Sequence, residues 1–337
     1  MHRRAFLRLL STEQTPPTYH TVPHHLRHCF GWAGKSCSRG CKALQASNKG
    51  GVRAFVAGEG PSPAPFFRFH DITRAVAFYQ DLSRHVDFFK DHAEKTSRFA
   101  CLTSVTPRLI GSVVHAKFDY FCGDAAGHNM ATIATHAARM AFLALHGDAL
   151  AIIDFAIEGS FSSDKKLSLG SVPEPRGVAV HTWSVLTDQA ARSVFKVTTK
   201  RIHQYILVAI DGTVRNGQQG VNANASNIIA AMFIACGQDA ASVLESGWSQ
   251  LVSEYDEKTG DLTLSSFFPP LVIGTVGGGS GYPTQKEALE LLNCYGDGKK
   301  WALAETIARL ALALELSTCA ALANDTSSAG DQKLARL

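Results

Sequence analysis

The sequence predicts an α/β protein of the α+β kind, a helix-rich large domain accompanied by a small ferredoxin-like βαββαβ domain. Strand-like and helix-like segments over residues 41–157 follow the order β-α-β-β-α-β, the split pattern whose sheet is largely antiparallel. Beyond residue 157 apolar residues recur mostly at helical spacing, interrupted by one hairpin signal. The 337 residues, 45% hydrophobic and 18% charged, suffice for two cores and are too apolar for extended disorder.

Each element has a local reason. After the turn-like Ser47-Asn48-Lys49-Gly50-Gly51, residues 52–57 read as the first strand and 58–65 as a loop. Asp71 is placed to cap a long amphipathic helix in which Ile72, Val76, Phe78, Tyr79, Leu82, Val86, Phe88 and Phe89 recur at helical spacing. Strands follow at 99–105 and 111–121, a helix at 129–145, and a last strand at 149–157. The second part, residues 158–326, begins with a strand at 177–185, a helix at 188–208 and a central helix at 224–245. Asp256-Glu257-Lys258-Thr259-Gly260 then turns a hairpin, and two helices close the chain. The most apolar stretch, 301–323, contains Glu305, Arg309 and Glu315, costly in hydrocarbon, so it is expected to be a buried helix and not a membrane span.

The ends read differently. Residues 1–40 form an N-terminal segment, partly unstructured, whose Arg3, Arg4, Arg8, Arg27 and Arg39 face a single acid, Glu13, a pattern shared by transit peptides and wrongly assigned gene starts. Residues 327–337 read as a mobile tail.

Composition narrows the function. The net charge of +4 comes from 33 basic and 29 acidic residues dispersed along the chain, which argues against nucleic acid and for an anionic small molecule. The eight cysteines are scattered, several in apolar runs, as expected for free thiols in a reducing, cytoplasmic setting, with association at the endoplasmic reticulum left open. Cys37 and Cys41, with His24, His25 and His28 nearby, match no zinc spacing, and no metal is expected.

Four segments concentrate the chemistry. Gly123-Asp124-Ala125-Ala126-Gly127-His128-Asn129-Met130 runs from a strand end to a helix start, where backbone amides favour an anionic group, although such turns are commonplace. Gly274-Thr275-Val276-Gly277-Gly278-Gly279 lets the backbone approach a ligand closely, or serves as a flexible turn. Asp164-Lys165-Lys166 offers ammonium groups that can stabilise an oxyanion or bind a carboxylate, unless it is solvated surface. From Asn222 to Asp239, helical steps put Asn224, Asn227, Ala231, Ala235 and Gln238 on one small-and-amide stripe with Asp239 beside it, suited to a ligand or to tightly packed backbone.

In this order the four segments resemble the hydroxymethylglutaryl-CoA reductase (HMG-CoA reductase) family, and Ser36-Cys37-Ser38-Arg39-Gly40-Cys41-Lys42-Ala43 is similar to the family segment that supplies an arginine to the substrate. The resemblance covers approximately residues 36–324. It implies a nucleotide-binding ferredoxin-like domain inserted into the larger domain, NADPH as cofactor, HMG-CoA as substrate, mevalonate and CoA as products, and a homodimer with a shared active site. It implies that Lys165 is the catalytic lysine, with Asp239 interacting with it. Arg39, Lys166 and Asn227 would surround the hydroxymethylglutaryl group. Asp124, Asn129 and Met130 would meet the nicotinamide nucleotide, Gly277 and Gly278 would lie near it, and Ser97 and Arg98 would contact the ribose 2′-phosphate.

Two positions depart from the family pattern. The family's catalytic glutamate lies upstream of the substrate arginine, and residues 1–35 hold nothing similar. Its catalytic histidine falls on Asp331, which with an ordinary pKa of ~3.9 would be ionised at neutral pH and a poor proton donor to a thiolate. Slow turnover of the CoA ester is therefore expected. The alternative is an impaired homologue that binds NADPH and CoA esters or pairs with an active subunit.

Overall fold

The computed structural model describes residues 24–326, with side chains from 34 onward. Two four-stranded antiparallel sheets organise it, each with its own apolar core.

The larger sheet has the order β1-β6-β8-β7, formed by β1 (Arg53–Gly60), β6 (Gly177–Leu186), β7 (Gln250–Tyr255) and β8 (Leu262–Leu271). Helices α1 (His24–Ser47), α5 (Asp188–Phe195), α6 (Thr199–Arg215), α7 (Ala225–Ala235), the single turn α8 (Val243–Ser246), α9 (Pro283–Leu291) and α10 (Lys300–Ala323) belong with it. Because β1 pairs directly with β6, everything between them is an insertion between neighbouring strands of one sheet.

That insertion runs β2 (Phe66–Phe69), α2 (Ile72–Asp81), α3 (Val86–Glu94), β3 (Cys101–Ile110), β4 (Val113–Phe121), α4 (His128–His146) and β5 (Ile152–Ala156), with sheet order β3-β4-β2-β5. It is the ferredoxin-like βαββαβ arrangement, with one correction to the sequence reading. Its first strand is Phe66–Phe69, while the strand expected at 52–57 belongs to the larger sheet. Pro61, Pro63 and Pro65 hid the connection, yet their carbonyls accept from Tyr120, Phe118 and Ala116 and carry the ladder up to β2. Phe67, Phe78, Phe89, Phe118 and Phe142 fill this core, with Phe89 and Phe142 ring centroids 4.8 Å apart.

Three expected helices are shorter than the periodicity suggested. Asp71 caps α2 by accepting from Arg74 N, but a 3₁₀ turn at Leu82–His85 separates it from α3. Lys196 takes a left-handed conformation (φ 61°) and Thr198 caps a new helix, so 188–208 is divided into α5 and α6. The central helix ends at Ala235, because Gly237 (φ 68°) turns the chain.

Helix α10 is the axis of the larger core, packed against α1, α7 and β6. By length and composition it could cross a membrane, but 83% of its most apolar window is buried inside the protein. Arg309 and Glu305 pair along it at 2.7 Å, and the carboxylate of Glu315 accepts from Ala223 N (2.6 Å) and Asn224 N (2.7 Å) just ahead of α7. Gly40 lets α1 touch α10, since a Cβ there would fall 1.8 Å from Ala313 O. Cys37 and Cys41 are buried in this core as free thiols, and the side chains of His24, His25 and His28 lie outside the described residues.

Candidate active site

Three chain segments meet where the insertion joins the larger body. Gly127, left-handed (φ 81°), turns the chain from β4 into α4. The segment after β8 lies against this turn: Thr275 N donates to Asp124 O at 2.8 Å, and a Cβ on Gly274 would sit 2.4 Å from Ala126 N. The segment after α7 closes the third side. Gln238 donates to Gly274 O (3.0 Å) and accepts from Gly274 N (2.7 Å), and Gly237 and Gly279 touch backbone to backbone. Together 125–130, 237–239 and 274–279 contribute most of the lining of a cleft of about 580 Å³. Gly277 and Gly278 have positive φ and open space where a Cβ would be, so a ligand can approach their backbone.

Lys165 stands beside this cleft, in the loop leaving β5. Its Nζ donates to Asp239 Oδ2 at 3.0 Å, with both side chains nearly half exposed. The hydrogen bond and charge of Asp239 hold the ammonium above its ordinary pKa. Partial burial pushes the Asp239 carboxyl up, but the hydrogen bonds from Lys165 and Ala241 N outweigh it, so it lies below the usual value. Both groups are therefore charged at neutral pH.

Beneath them Arg176 is 6% exposed and Glu245 1% exposed. Arg176 Nη1 donates to both Glu245 oxygens, at 2.8 and 2.6 Å, and Nη2 donates to Asp164 Oδ1 at 2.6 Å. Burial raises the Glu245 carboxyl although Arg176 opposes it. Arg176 Nη2 also lies 3.4 Å from His128 Nδ1, which must accept because guanidinium only donates. Burial and the Arg176 charge lower His128 to about 4, so its ring is neutral.

The other expected site residues fall in several places. Ser97 Oγ lies 3.5 Å from Met130 Sδ, which joins two of the expected cofactor positions. Arg98 is exposed and stacks over Phe99 at 4.6 Å, with no carboxylate partner among the described residues. Asn129 and Met130 line the cleft with Gly277 and Gly278. Asp124 instead accepts from Gly298 N (2.8 Å) and Lys300 N (3.0 Å), holding the start of α10. Lys166 Nζ donates to Asp164 O at 3.2 Å. Arg39 lies against α10, donating to Ser317 Oγ (2.9 Å) and Ser317 O (2.8 Å), and Asn227 is exposed on the first turn of α7. Among the described residues neither bonds to Lys165 or Asp239. Asp331 lies outside the described residues.

The asparagine stripe does not continue as expected, because the helix stops before Gln238. Of the stripe, Gln238 meets the Gly274 backbone, while Gly237, outside the stripe, packs against Gly279. Sequence reasoning gave no role to Arg176 or Glu245. The one signal for Glu245 was an acid inside the otherwise uncharged Val243-Leu244-Glu245-Ser246-Gly247-Trp248. Chemically, the arrangement sets a fixed ammonium beside a glycine-lined cleft, able to stabilise an oxygen that gains negative charge.

A family model described as hydroxymethylglutaryl-coenzyme A reductase matches residues 35–336. The 3-hydroxy-3-methylglutaryl-coenzyme A reductase of Halobacterium salinarum is 36% identical over 307 residues, covering 89% of this chain and 74% of that protein. The enzyme of the same name from Methanothermobacter thermautotrophicus is 32% identical, covering 86% and 71%. The class II 3-hydroxy-3-methylglutaryl-CoA reductase of Streptococcus pneumoniae, solved bound to NADPH in open conformations, matches with a TM-score of 0.66 at 15% identity, covering 86% of this chain and 78% of that one. At that identity the likeness is one of fold.

Proposed function

Because this chain belongs to the hydroxymethylglutaryl-CoA reductase family, we propose that it catalyses the NADPH-dependent reduction of HMG-CoA to mevalonate and CoA. The observation that carries the reading is the Lys165–Asp239 ion pair at the cleft formed by 125–130, 237–239 and 274–279. The alternative of a non-catalytic homologue is less well supported, since this pair is intact and charged.

The residues fit a dinucleotide phosphate. Gly277 and Gly278 leave open the space that side chains would fill, and Arg98 is an exposed cation beside the Ser97–Met130 contact. In this reading Ser97 and Arg98 bind the ribose 2′-phosphate, a guanidinium matching phosphate geometry. Asn129, Met130, Gly277 and Gly278 hold the nicotinamide end, with Asp124 acting by fixing that segment to α10. NADPH supplies the hydride when bound.

Lys165 then donates to the substrate oxygen that becomes negative, first in the thioester and again in mevaldehyde. Asp239 keeps its ammonium charged and aimed. Lys166, Asn227 and Arg39 are the proposed contacts of the hydroxymethylglutaryl group, which requires Arg39 to exchange Ser317 for a substrate carboxylate. Counted along the sequence from Glu315, the position of the family's histidine falls on Asp331. We assign the β2–β5 insertion to the nucleotide and the rest of the fold to the CoA ester. Exposed Ile133, Met140 and Leu145 on α4 offer apolar surface to the proposed homodimer. The buried setting of α10 argues that it is a core helix and not a membrane span; the cytoplasmic location is part of the proposal.

The test is direct: incubate the protein with HMG-CoA and NADPH and detect mevalonate and free CoA by mass spectrometry. Neither product forming while NADPH binds would overturn the reading.

A further inference from the structure

Lys165 carries its ammonium on strained backbone. It is in the left-handed region (φ 55°), as is Ser163 (φ 63°), conformations that non-glycine residues keep only when the surroundings impose them. Side chains from elsewhere in the fold impose them here. Lys165 N donates to Glu245 Oε1 at 3.3 Å, and the preceding carboxylate, Asp164 Oδ1, accepts from Arg176 Nη2 at 2.6 Å. Glu245 and Arg176 are themselves joined through both carboxylate oxygens and buried. Their anchors differ, since Arg176 enters β6 while Glu245 sits in α8. Arg176 Nη2 also reaches His128 Nδ1 at the first residue of α4.

We propose that Arg176 and Glu245, acting with Asp164, are positioning residues that strap the 163–166 loop so that the Lys165 ammonium meets Asp239 and the reacting oxygen. A buried ion pair is weak ground for stability by itself, because desolvating two charges offsets much of their attraction. Its placement is the stronger argument: one guanidinium is hydrogen-bonded to the lysine loop, to the acid that holds the lysine backbone, and to the segment lining the cleft. Losing the strap should free the loop to leave the left-handed conformation, moving Nζ away from Asp239 while leaving the cleft formed by 274–279 untouched. The groups facing Arg176 are Glu245, Asp164 and His128, with the Lys165 charge next to them; Asp239 acts on His128 and Lys165.

The proposal rests on the reading of Lys165 as the group acting on the reacting oxygen. Its test uses the whole chain with Asp164→Asn, a partly exposed position that should fold, and Glu245→Gln, which keeps acceptor atoms but removes the charge. Two quantities are read. One is the titration of the Lys165 ¹⁵Nζ resonance, assigned by its loss in Lys165→Arg. The other is steady-state reduction of mevaldehyde by NADPH. Both variants should lower the Lys165 pKa toward its ordinary value and cut kcat by about tenfold to a hundredfold, with KM within about twofold of wild type. Melting temperatures that fall while the Lys165 titration and kcat stay at wild-type values would overturn it, leaving the pair a fold element only. Because the Asp164 charge itself raises Lys165, the strap is read from whether Asp239→Asn still lowers the Lys165 pKa in the Glu245→Gln background, or in the Asp164→Asn background if Glu245→Gln does not fold; a decrease as large as in the wild type would overturn the proposal. If the wild-type protein reduces nothing, the functional reading fails, and this comparison still decides the strap.

Discussion

Lys165 Nζ lies 3.0 Å from Asp239 Oδ2, joining the loop after β5 to the segment after α7. The contact fixes an ammonium at a cleft edge without burying it, so the charge remains available to a substrate oxygen. Lys165→Ala should therefore remove an interaction made mainly in the transition state. We expect kcat to fall by ~10²-fold or more, with the Kd for HMG-CoA within about twofold of wild type. Calorimetric titration beside steady-state kinetics checks this. A collapse of affinity with turnover retained would make Lys166 the better candidate.

The same pair has a pH signature. Lys165 is raised and Asp239 lowered by their contact. With Lys165 raised, its charge is complete at neutral pH and is lost only above the ordinary lysine value of ~10.4. With Asp239 lowered, its charge is complete above ~3.9 and is lost only as pH falls through a still lower value. The kcat profile should show no limb from either group between about pH 5 and 9. A lysine-dependent limb near neutrality, removed in Lys165→Arg, would contradict this.

Arg98 is exposed, stacked on Phe99, beside the Ser97–Met130 contact. A charge-assisted hydrogen bond to phosphate is worth ~1.5 to 3 kcal/mol, so Arg98→Ala should weaken NADPH about tenfold or more and leave NADH nearly unchanged. Fluorescence titration with both nucleotides reads this. Equal losses would remove Arg98 from the 2′-phosphate site.

Glu315 is fully buried in α10 and, chiefly through desolvation, its carboxyl is pushed up to about 7 despite accepting from Ala223 and Asn224 amides. A carboxyl raised on folding contributes stability that is fully present below its unfolded value of ~4.3 and lost as pH rises through the folded value. Urea unfolding over about pH 4 to 8 should show a decline in stability that flattens in Glu315→Gln. An unchanged slope in the variant would mean the group does not titrate there.

Gly237 tests the backbone packing of the cleft. It has φ 68°, and a Cβ would lie 2.3 Å from Gly279 O, against backbone that cannot swing aside. Gly237→Ala should cost roughly 2 kcal/mol or more in denaturant unfolding. It should also weaken NADPH, because Gln238 and the 274–279 segment shift with it.

Much of this architecture was legible because local chemistry and fold agree. The Asp71 cap, the Asp256–Gly260 hairpin and the buried stretch ending at Ala323 all sit where their residues place them. The pairing of β1 was not legible: an alternating segment at the start of a βαββαβ pattern carries no mark of which sheet it joins. Lys165 and Asp239 were found through the order of motifs, but Arg176 and Glu245 were missed because a buried charge pair is created by tertiary contact. Nothing in Glu174-Pro175-Arg176-Gly177 distinguishes Arg176 from a solvated arginine. The place of Arg39 against Ser317 was likewise beyond reach, since it depends on how α1 crosses α10 at Gly40.

The most direct measurement follows NADPH oxidation by the wild-type chain and by Lys165→Ala, with HMG-CoA and separately with mevaldehyde, which has no thiolate to expel. On the proposal that Asp331 takes the family's histidine position, the CoA ester should be slowed by ~10² or more relative to mevaldehyde, the cost of a missing general acid. The expected result is NADPH consumption by the wild type on mevaldehyde, slower consumption on HMG-CoA, and loss of both in Lys165→Ala. A wild-type protein that binds NADPH but reduces neither compound, or a Lys165→Ala protein as fast as the wild type, would contradict it.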